Sequence, residues 1–350
     1  SPDMAPSQAT IAAMIEHVSN PKLHDYPPYK GLPQLRTAIA KWCKETYNVS
    51  LNAENEILPL IGSKEGITHV SLTFLDPEDE VLVPELGYPA YRSVTEMIGA
   101  RARSYTLLEE KNWMPDMEAL EREDLSKVKL MWLNYPHMPT GATISLHIFE
   151  QLVDFAKRKK ILLCHDNPYG LVLNTSAPLS IFNVQGAKDV AIELHSFSKS
   201  HNMAGWRIGW LLAAKPYVDA IFKVKTNVDT GIFKPLQLAA AKALENPVDW
   251  HNSRNAVYAR RRDIVSEILT MLKCSISPDQ TGMFLWARLP EGVNAEQFID
   301  HILYNHHVFI SPGFIFGKKG EKYIRASLCI DEEKLKIVKA RLQNFDIRKI

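Results

Sequence analysis

Lys199 and Arg207 are the cations of this sequence whose surroundings suit chemistry. Lys199 stands in Ser196-Phe197-Ser198-Lys199-Ser200, directly after the apolar run Val190-Ala191-Ile192-Glu193-Leu194, which reads as a short buried strand. An amine just past a strand end, set among hydroxyls, is placed to be desolvated. Desolvation lowers its pKa and makes it a carbonyl-seeking nucleophile. Arg207 adds a permanent cation suited to a phosphate. Taken alone, the two are equally compatible with ordinary loop cations near a strand end.

Four further polar clusters each follow an apolar run. Gly62-Ser63-Lys64-Glu65-Gly66 lies between a strand and a helix, where free backbone N–H groups attract a phosphate; a plain helix cap is the alternative. Asp166 ends the run Leu163-Cys164-His165-Asp166. A carboxylate desolvated there calls for a buried cationic partner, and a protonated pyridine nitrogen would serve; capping of the next segment is the alternative. Asn134-Tyr135-Pro136-His137-Met138-Pro139-Thr140-Gly141 is a loop made rigid by two prolines and a glycine. Glu85-Leu86-Gly87-Tyr88-Pro89-Ala90-Tyr91 brings aromatic faces, and Tyr88 could stack on a planar ring or pack into the core.

The elements that must position these groups alternate along the chain. Apolar patterning predicts strands over 56–61, 80–83, 101–107, 128–134, 161–165, 190–195 and 208–213, with helices over 67–74, 88–98, 116–121 and 145–158 between them. This order implies a mainly parallel sheet with helices on both faces, a three-layer α/β architecture. In such sheets ligands sit beyond the carboxyl ends of the strands, where every cluster above falls. Helical spacing is also expected over 7–20 and 32–47. After residue 215 the pattern is helical over 216–226, 235–245 and 250–272, then mixed: Met283–Leu289, a helix over 295–304, strands Val308-Phe309-Ile310 and Tyr323–Leu328, and a helix over 332–343. The expected division is a large domain of residues 24–245 and a smaller α+β domain of 1–23 with 246–350.

Composition narrows the class. The 350 residues are 46% hydrophobic and 23% charged, enough for a sizeable core. A net charge of +1 supplies no field to gather nucleic acid or an anionic membrane. Cys43, Cys164, Cys274 and Cys329 are scattered, with no C-x-x-C, which reads as reduced thiols in a cytoplasmic protein without a metal site. No apolar stretch approaches the roughly 20 residues of a membrane helix. Ser1-Pro2-Asp3 carries no signal-peptide pattern and reads as the continuation of an earlier segment.

The five clusters, in this order and each at a strand end, resemble the class I/II aminotransferases, pyridoxal-phosphate enzymes of the aspartate aminotransferase fold (fold type I). The most specific parts are Ser196-Phe197-Ser198-Lys199 with Arg207 and Gly209, Asp166 with Tyr169, and Pro139-Thr140-Gly141. The resemblance implies a transaminase moving an amino group between an α-amino acid and a 2-oxo acid through a Schiff base on Lys199. By the same likeness Asp166 pairs with the cofactor's ring nitrogen, Tyr169 directs its hydroxyl to the ring phenolate, and Tyr88 stacks on the ring. Ser63, Lys64, Ser196 and Arg207 hold the phosphate. Tyr26 looks like the tyrosine that reaches the neighbouring subunit's phosphate, which implies a homodimer with shared active sites. Arg325 looks like the clamp for the substrate carboxylate. Asn134, at the entrance of the Pro-His-Met-Pro loop, and His137 within it are further substrate-side candidates read from the residues themselves, with packing the alternative for His137.

Two departures stand out. The family usually has Asn immediately before Pro-Thr-Gly, as donor to the phenolate. Here Met138 occupies that place, and a thioether cannot donate, so a higher pKa is expected for the cofactor-bound nitrogen. The arm that precedes Ser1-Pro2-Asp3 in the family, with a glycine that lies near the substrate carboxylate, is not in this sequence either. Carbon–sulfur β-lyases and decarboxylases share the lysine, the aspartate and the ring, and remain open. So does a non-enzymatic effector-sensing domain, although no helix-turn-helix or basic segment accompanies it. A nucleotide site at Gly62-Ser63-Lys64 lacks the G-x-x-x-x-G-K-[ST] spacing.

Overall fold

A computed structural model describes residues 2–347. Helix α1 (Gln8–Val18) starts where the Ser7 hydroxyl accepts the Thr10 N–H, and α2 (Pro33–Tyr47) has proline in its first turn and ends at Asn48 in the left-handed region. Strands and helices then alternate: β1 (Ile57–Leu60), α3 (Ser63–Phe74), β2 (Glu80–Pro84), α4 (Ala90–Met97) and β3 (Arg101–Tyr105). A small hairpin, β4 (Leu107–Leu108) with β5 (Met114–Pro115), leads to α5 (Met117–Arg122) and β6 (Val128–Asn134). Next come α6 (Leu146–Lys159), β7 (Leu162–Asp166), β8 (Ala191–Ser196), the one-turn α7 (Phe197–Ser200) and β9 (Gly209–Ala213). Helices α8 (Lys215–Lys225) and α9 (Lys234–Ala243) complete this part.

The seven long strands form one sheet in the order β1-β9-β8-β7-β6-β2-β3. Beyond exposed Lys129 and half-buried Leu162 near their starts, its central strands are buried, as strands covered on both faces are. Side chains alternate between two cores. Leu82, Met131, Leu133 and Leu163 meet α6 on one face; Val81, Val83, Leu130, Trp132 and Cys164 meet residues of α3, α4 and α8 on the other. Truncation of one of these large buried side chains, Trp132 for example, would cost about 3–5 kcal/mol.

Within this mainly parallel sheet one strand is reversed: β9 runs antiparallel to both β8 and β1. The link from β8 to β9 holds only α7 and a turn. It is too short to cross the sheet and re-enter in the same direction, so the chain doubles back. That reversal has a consequence for the site. The start of β9 lies beside the ends of β8 and β1, with Ser196 opposite Gly209 and Gly209 opposite Leu60.

The remaining elements are α10 (Val248–Met271), β10 (Ser275–Ile276), β11 (Phe284–Arg288), α11 (Ala295–His306), β12 (Ser311–Pro312), β13 (Tyr323–Ser327) and α12 (Glu332–Arg341). They build an antiparallel sheet, β10-β11-β13-β12, over a core of their own. The strand expected at Val308-Phe309-Ile310 does not pair there; pairing begins with Ser311 opposite Arg325. Residues 1–23 touch both units. Met4 packs on the core of the smaller one and Asp3 pairs with Arg261 at 2.7 Å, whereas α1 lies along α9. The buried residues of α1, Thr10 and Ala13, are both small, which suits a close approach.

Candidate active site

A cavity of about 350 Å³ opens at the carboxyl ends of β6, β7 and β8, where the β11–β13 sheet faces them. Its wall includes Ser63, Lys64, Tyr88, Asn134, Asp166, Tyr169, Ser196, Lys199, Arg207 and Arg325. The structure therefore brings together ten of the twelve residues singled out above. Tyr26 and His137 lie elsewhere.

Asp166 is the last residue of β7 and is 4% exposed. Its Oδ2 accepts the Tyr91 hydroxyl at 2.9 Å, while Oδ1 is buried with no partner among the described residues. Burial pushes the carboxyl up to about 6, against the pull of Tyr91 and of the nearby His165 and His195. A buried oxygen without a partner is costly, and a cationic N–H is what would satisfy it. Tyr91 itself stacks on Trp132 (5.0 Å between centroids, 6° between planes) and meets Tyr88 edge-on. The register sets Asn134 beside Asp166. Both ends of its amide are committed to backbone: Nδ2 donates to the Asp166 carbonyl at 2.8 Å and Oδ1 accepts the Met138 N–H at 2.9 Å.

Lys199 sits on α7, directly beyond β8, and its side chain makes no ion pair or hydrogen bond among the described residues. Burial lowers the pKa of its amine, and the positive charges of Arg207 and Arg325 lower it further. This is the environment in which a lysine acts as a nucleophile or base.

The opposite end of the cavity is built for an anion. Gly62 caps α3 with φ 79°, leaving the first N–H groups of the helix directed outward. A Cβ on Gly62 would come within 2.5 Å of the Arg207 guanidinium, and one on Gly209 would strike the His195 carbonyl at 2.5 Å. Only glycine permits this approach of backbone and cation. Arg207 donates to the Ala204 carbonyl at 2.9 Å and to the Ser198 hydroxyl at 3.4 Å. Ser196 Oγ accepts the Ser198 N–H at 3.1 Å.

Arg325 reaches the cavity from β13. Its guanidinium lies over the Phe284 ring at 3.9 Å and the Phe316 ring at 4.4 Å, and donates to Met138 Sδ at 3.3 Å. Its Nε is buried and unpartnered among the described residues. Two ring faces and a thioether orient the fork without neutralising it, so it stays available to a carboxylate. Burial raises the pKa of the Tyr169 hydroxyl, against the pull of Arg325.

Sequence reasoning misplaced one residue and overlooked others. His137 does not line the cavity. It is 3% exposed, its Nε2–H donates to the Leu86 carbonyl at 3.0 Å, and its Nδ1 accepts the Thr140 hydroxyl at 2.7 Å. Burial pushes it down to about 4, so it is a neutral tie that closes the loop. Tyr26 is 81% exposed and does not line the cavity. Tyr91 was given no role; it stands in the first turn of α4, three residues after Tyr88, and its hydroxyl reaches Asp166. Nothing in the sequence marked Phe284 and Phe316 as the rings that hold Arg325.

A buried unpartnered carboxylate oxygen, a desolvated amine, an aromatic wall and an anion cradle match the ring nitrogen, aldehyde, ring and phosphate of pyridoxal 5′-phosphate. Fold and site together define a fold type I enzyme of that cofactor. The description "Aminotransferase class I and II" matches residues 1–342, and the chain belongs to that family. It is similar to LL-diaminopimelate aminotransferases of Dehalococcoides mccartyi (39% identity, covering 98% of this chain and 89% of the relative) and Halothermothrix orenii (37%, covering 99% and 90%). Among solved structures it resembles BacF of Bacillus subtilis without ligand (TM-score 0.94, 34% identity, 98% and 92% covered). It also resembles an aminotransferase of Staphylococcus aureus (TM-score 0.91, 30% identity, 98% and 91% covered). The protein is thus a transaminase acting between an α-amino acid and a 2-oxo acid. Among the described residues no helix is long and apolar enough to cross a membrane.

Proposed function

We propose that Lys199, Asp166 and Arg325 carry the transamination and that the amino donor is LL-diaminopimelate. One observation carries the residue roles: a desolvated amine, a buried carboxylate with one free oxygen and an un-neutralised guanidinium all open on a single cavity. Arg325 takes the α-carboxylate of the amino acid through its planar fork. Lys199 would hold the cofactor through its aldehyde carbon, and its freed amine would take the proton from the substrate α-carbon and deliver it to the carbon on the far side of the amino nitrogen. Asp166, held by Tyr91, keeps a proton on the ring nitrogen, and Tyr169 directs its hydroxyl to the ring oxygen. Pyridoxal phosphate, when bound, supplies the electron sink for this proton shift. Ser63, Lys64, Ser196 and Arg207 bind its phosphate, Tyr88 covers its ring, and Asn134 locks the strand end that carries Asp166.

The donor is inferred from the relatives described above. Diaminopimelate has an amino-acid group at each end, and Asp166, the cavity's only carboxylate, is taken by the ring nitrogen. The distal end therefore needs a wall from a second subunit. Exposed Tyr26, Tyr29, Val228 and Phe233 support this. They cluster where the Tyr26 loop meets the 228–233 segment, through the Lys234–Asp25 ion pair and the His24–Phe233 ring contact. Such a patch suits a homodimer in which Tyr26 serves the partner's phosphate. Four unpaired cysteines suit a reducing cytoplasm.

The test is a half-reaction screen. Each amino acid is added to the cofactor-loaded enzyme, and the absorbance of the bound cofactor is followed. LL-Diaminopimelate is expected to discharge it fastest; faster discharge by another amino acid overturns the donor. Lys199→Ala is expected to abolish turnover, and retained transamination overturns the residue roles.

A further inference from the structure

Beneath the Gly62-Ser63-Lys64 turn, four ionisable side chains meet away from solvent. Lys225, the last residue of α8, has a side chain 2% exposed, and its Nζ donates to Glu65 at 3.2 Å and to Asp229 at 2.6 Å. His69, one turn further along α3, donates from Nε2 to the same Glu65 oxygen at 2.9 Å, and its Nδ1 is buried without a partner among the described residues. The other Glu65 oxygen accepts the Ile61 N–H at 2.5 Å. Asp229 accepts the Gly231 N–H at 2.7 Å, and a Cβ on Gly231 would lie 3.0 Å from Pro27. One ammonium thus joins the turn that presents Ser63 and Lys64 to the segment packed against the Tyr26 loop. Glu65, His69 and Asp229 are of types that could hold a metal ion, but Lys225 already seats a cation between the two carboxylates.

A well-packed apolar side chain in place of a buried ion pair is often neutral or stabilising. What the charges add is geometry and local neutrality. Glu65 is the one carboxylate in the first turn of α3. An uncompensated negative charge there would compete with a phosphate for the helix N-terminus. His69 and Lys225 hold it well below the usual carboxylate range despite its burial, and they turn it back onto the Ile61 N–H.

We propose that Lys225 is a positioning residue for the phosphate cradle: by holding Glu65 it fixes the turn from Ile61 to Lys64 and cancels the carboxylate that would oppose the phosphate. This rests on the assignment of that turn to the cofactor phosphate. The test compares binding of pyridoxal phosphate and of pyridoxal, which lacks the phosphate, to apoprotein, with melting temperature measured alongside. Lys225→Met is expected to weaken pyridoxal phosphate binding about tenfold, the scale of one lost charge interaction at a helix end, and to leave pyridoxal binding nearly unchanged. Lys225→Arg is expected to restore most of the preference. Should Lys225→Met not fold, Lys225→Met/Asp229→Asn removes a carboxylate along with the ammonium, still deprives Glu65 of its ammonium partner and leaves it only the His69 contact, and carries the same expectation. Affinities that fall together, or that stay put while the melting temperature drops, overturn the proposal. A wild-type protein that binds both compounds equally overturns the cradle assignment itself.

Discussion

Replacing Asp166 with Asn tests the electrostatics of the site without any turnover. Burial raises this carboxyl from an ordinary 3.8 to about 6. At about 1.4 kcal/mol per pH unit, the gap amounts to roughly 3 kcal/mol. The sign follows from linkage. The folded apoprotein binds this proton more tightly than the unfolded chain, so the stability it confers is full below about pH 4 and lost as pH rises through about 6. Above that range the apoprotein holds an ionised carboxylate with one unsatisfied oxygen, and a protonated ring nitrogen would relieve it. The assay is urea unfolding of wild-type and Asp166→Asn apoprotein at a series of pH values. Glu65 and Glu193, both held below their ordinary range, lose their contributions at lower pH in both proteins and cancel in the difference. The variant is expected to gain on wild type by about 3 kcal/mol between roughly pH 4 and 7. Pyridoxal phosphate is expected to restore wild type over the same range. A difference independent of pH would refute the reasoning.

Three further outcomes are expected. Met138→Asn offers the ring oxygen an amide donor in place of a thioether, so the pH at which the bound cofactor changes absorbance should fall by about one unit, the worth of one hydrogen bond; an unmoved titration counts against that role for position 138. Arg325→Lys loses the fork stacked between Phe284 and Phe316, and kcat/KM for the amino acid should drop roughly 10- to 100-fold, with pyridoxal phosphate affinity retained. Gly62→Ala forces a side chain into a positive-φ position and against the Arg207 guanidinium. Pyridoxal phosphate binding by the apoprotein should weaken by about 1–3 kcal/mol, as read by spectroscopic titration.

What could be read from the sequence is what local patterns encode. Apolar runs of strand length marked β6, β7 and β8, and the polar residue ending each run placed Asn134, Asp166 and Ser196 at one edge, because parallel strands present their carboxyl ends together. Gly62 before a helix marked the anion cradle through the geometry of a helix start. The reversal of β9, the seating of α1 along α9, the Tyr91 hydroxyl on Asp166 and the folding of His137 into its own loop were decided by tertiary packing. The aromatic seat of Arg325 draws on Phe284 and Phe316, which come from separate elements. Each depends on partners brought together across long sequence separations, and residue spacing along one segment carries no information about such meetings.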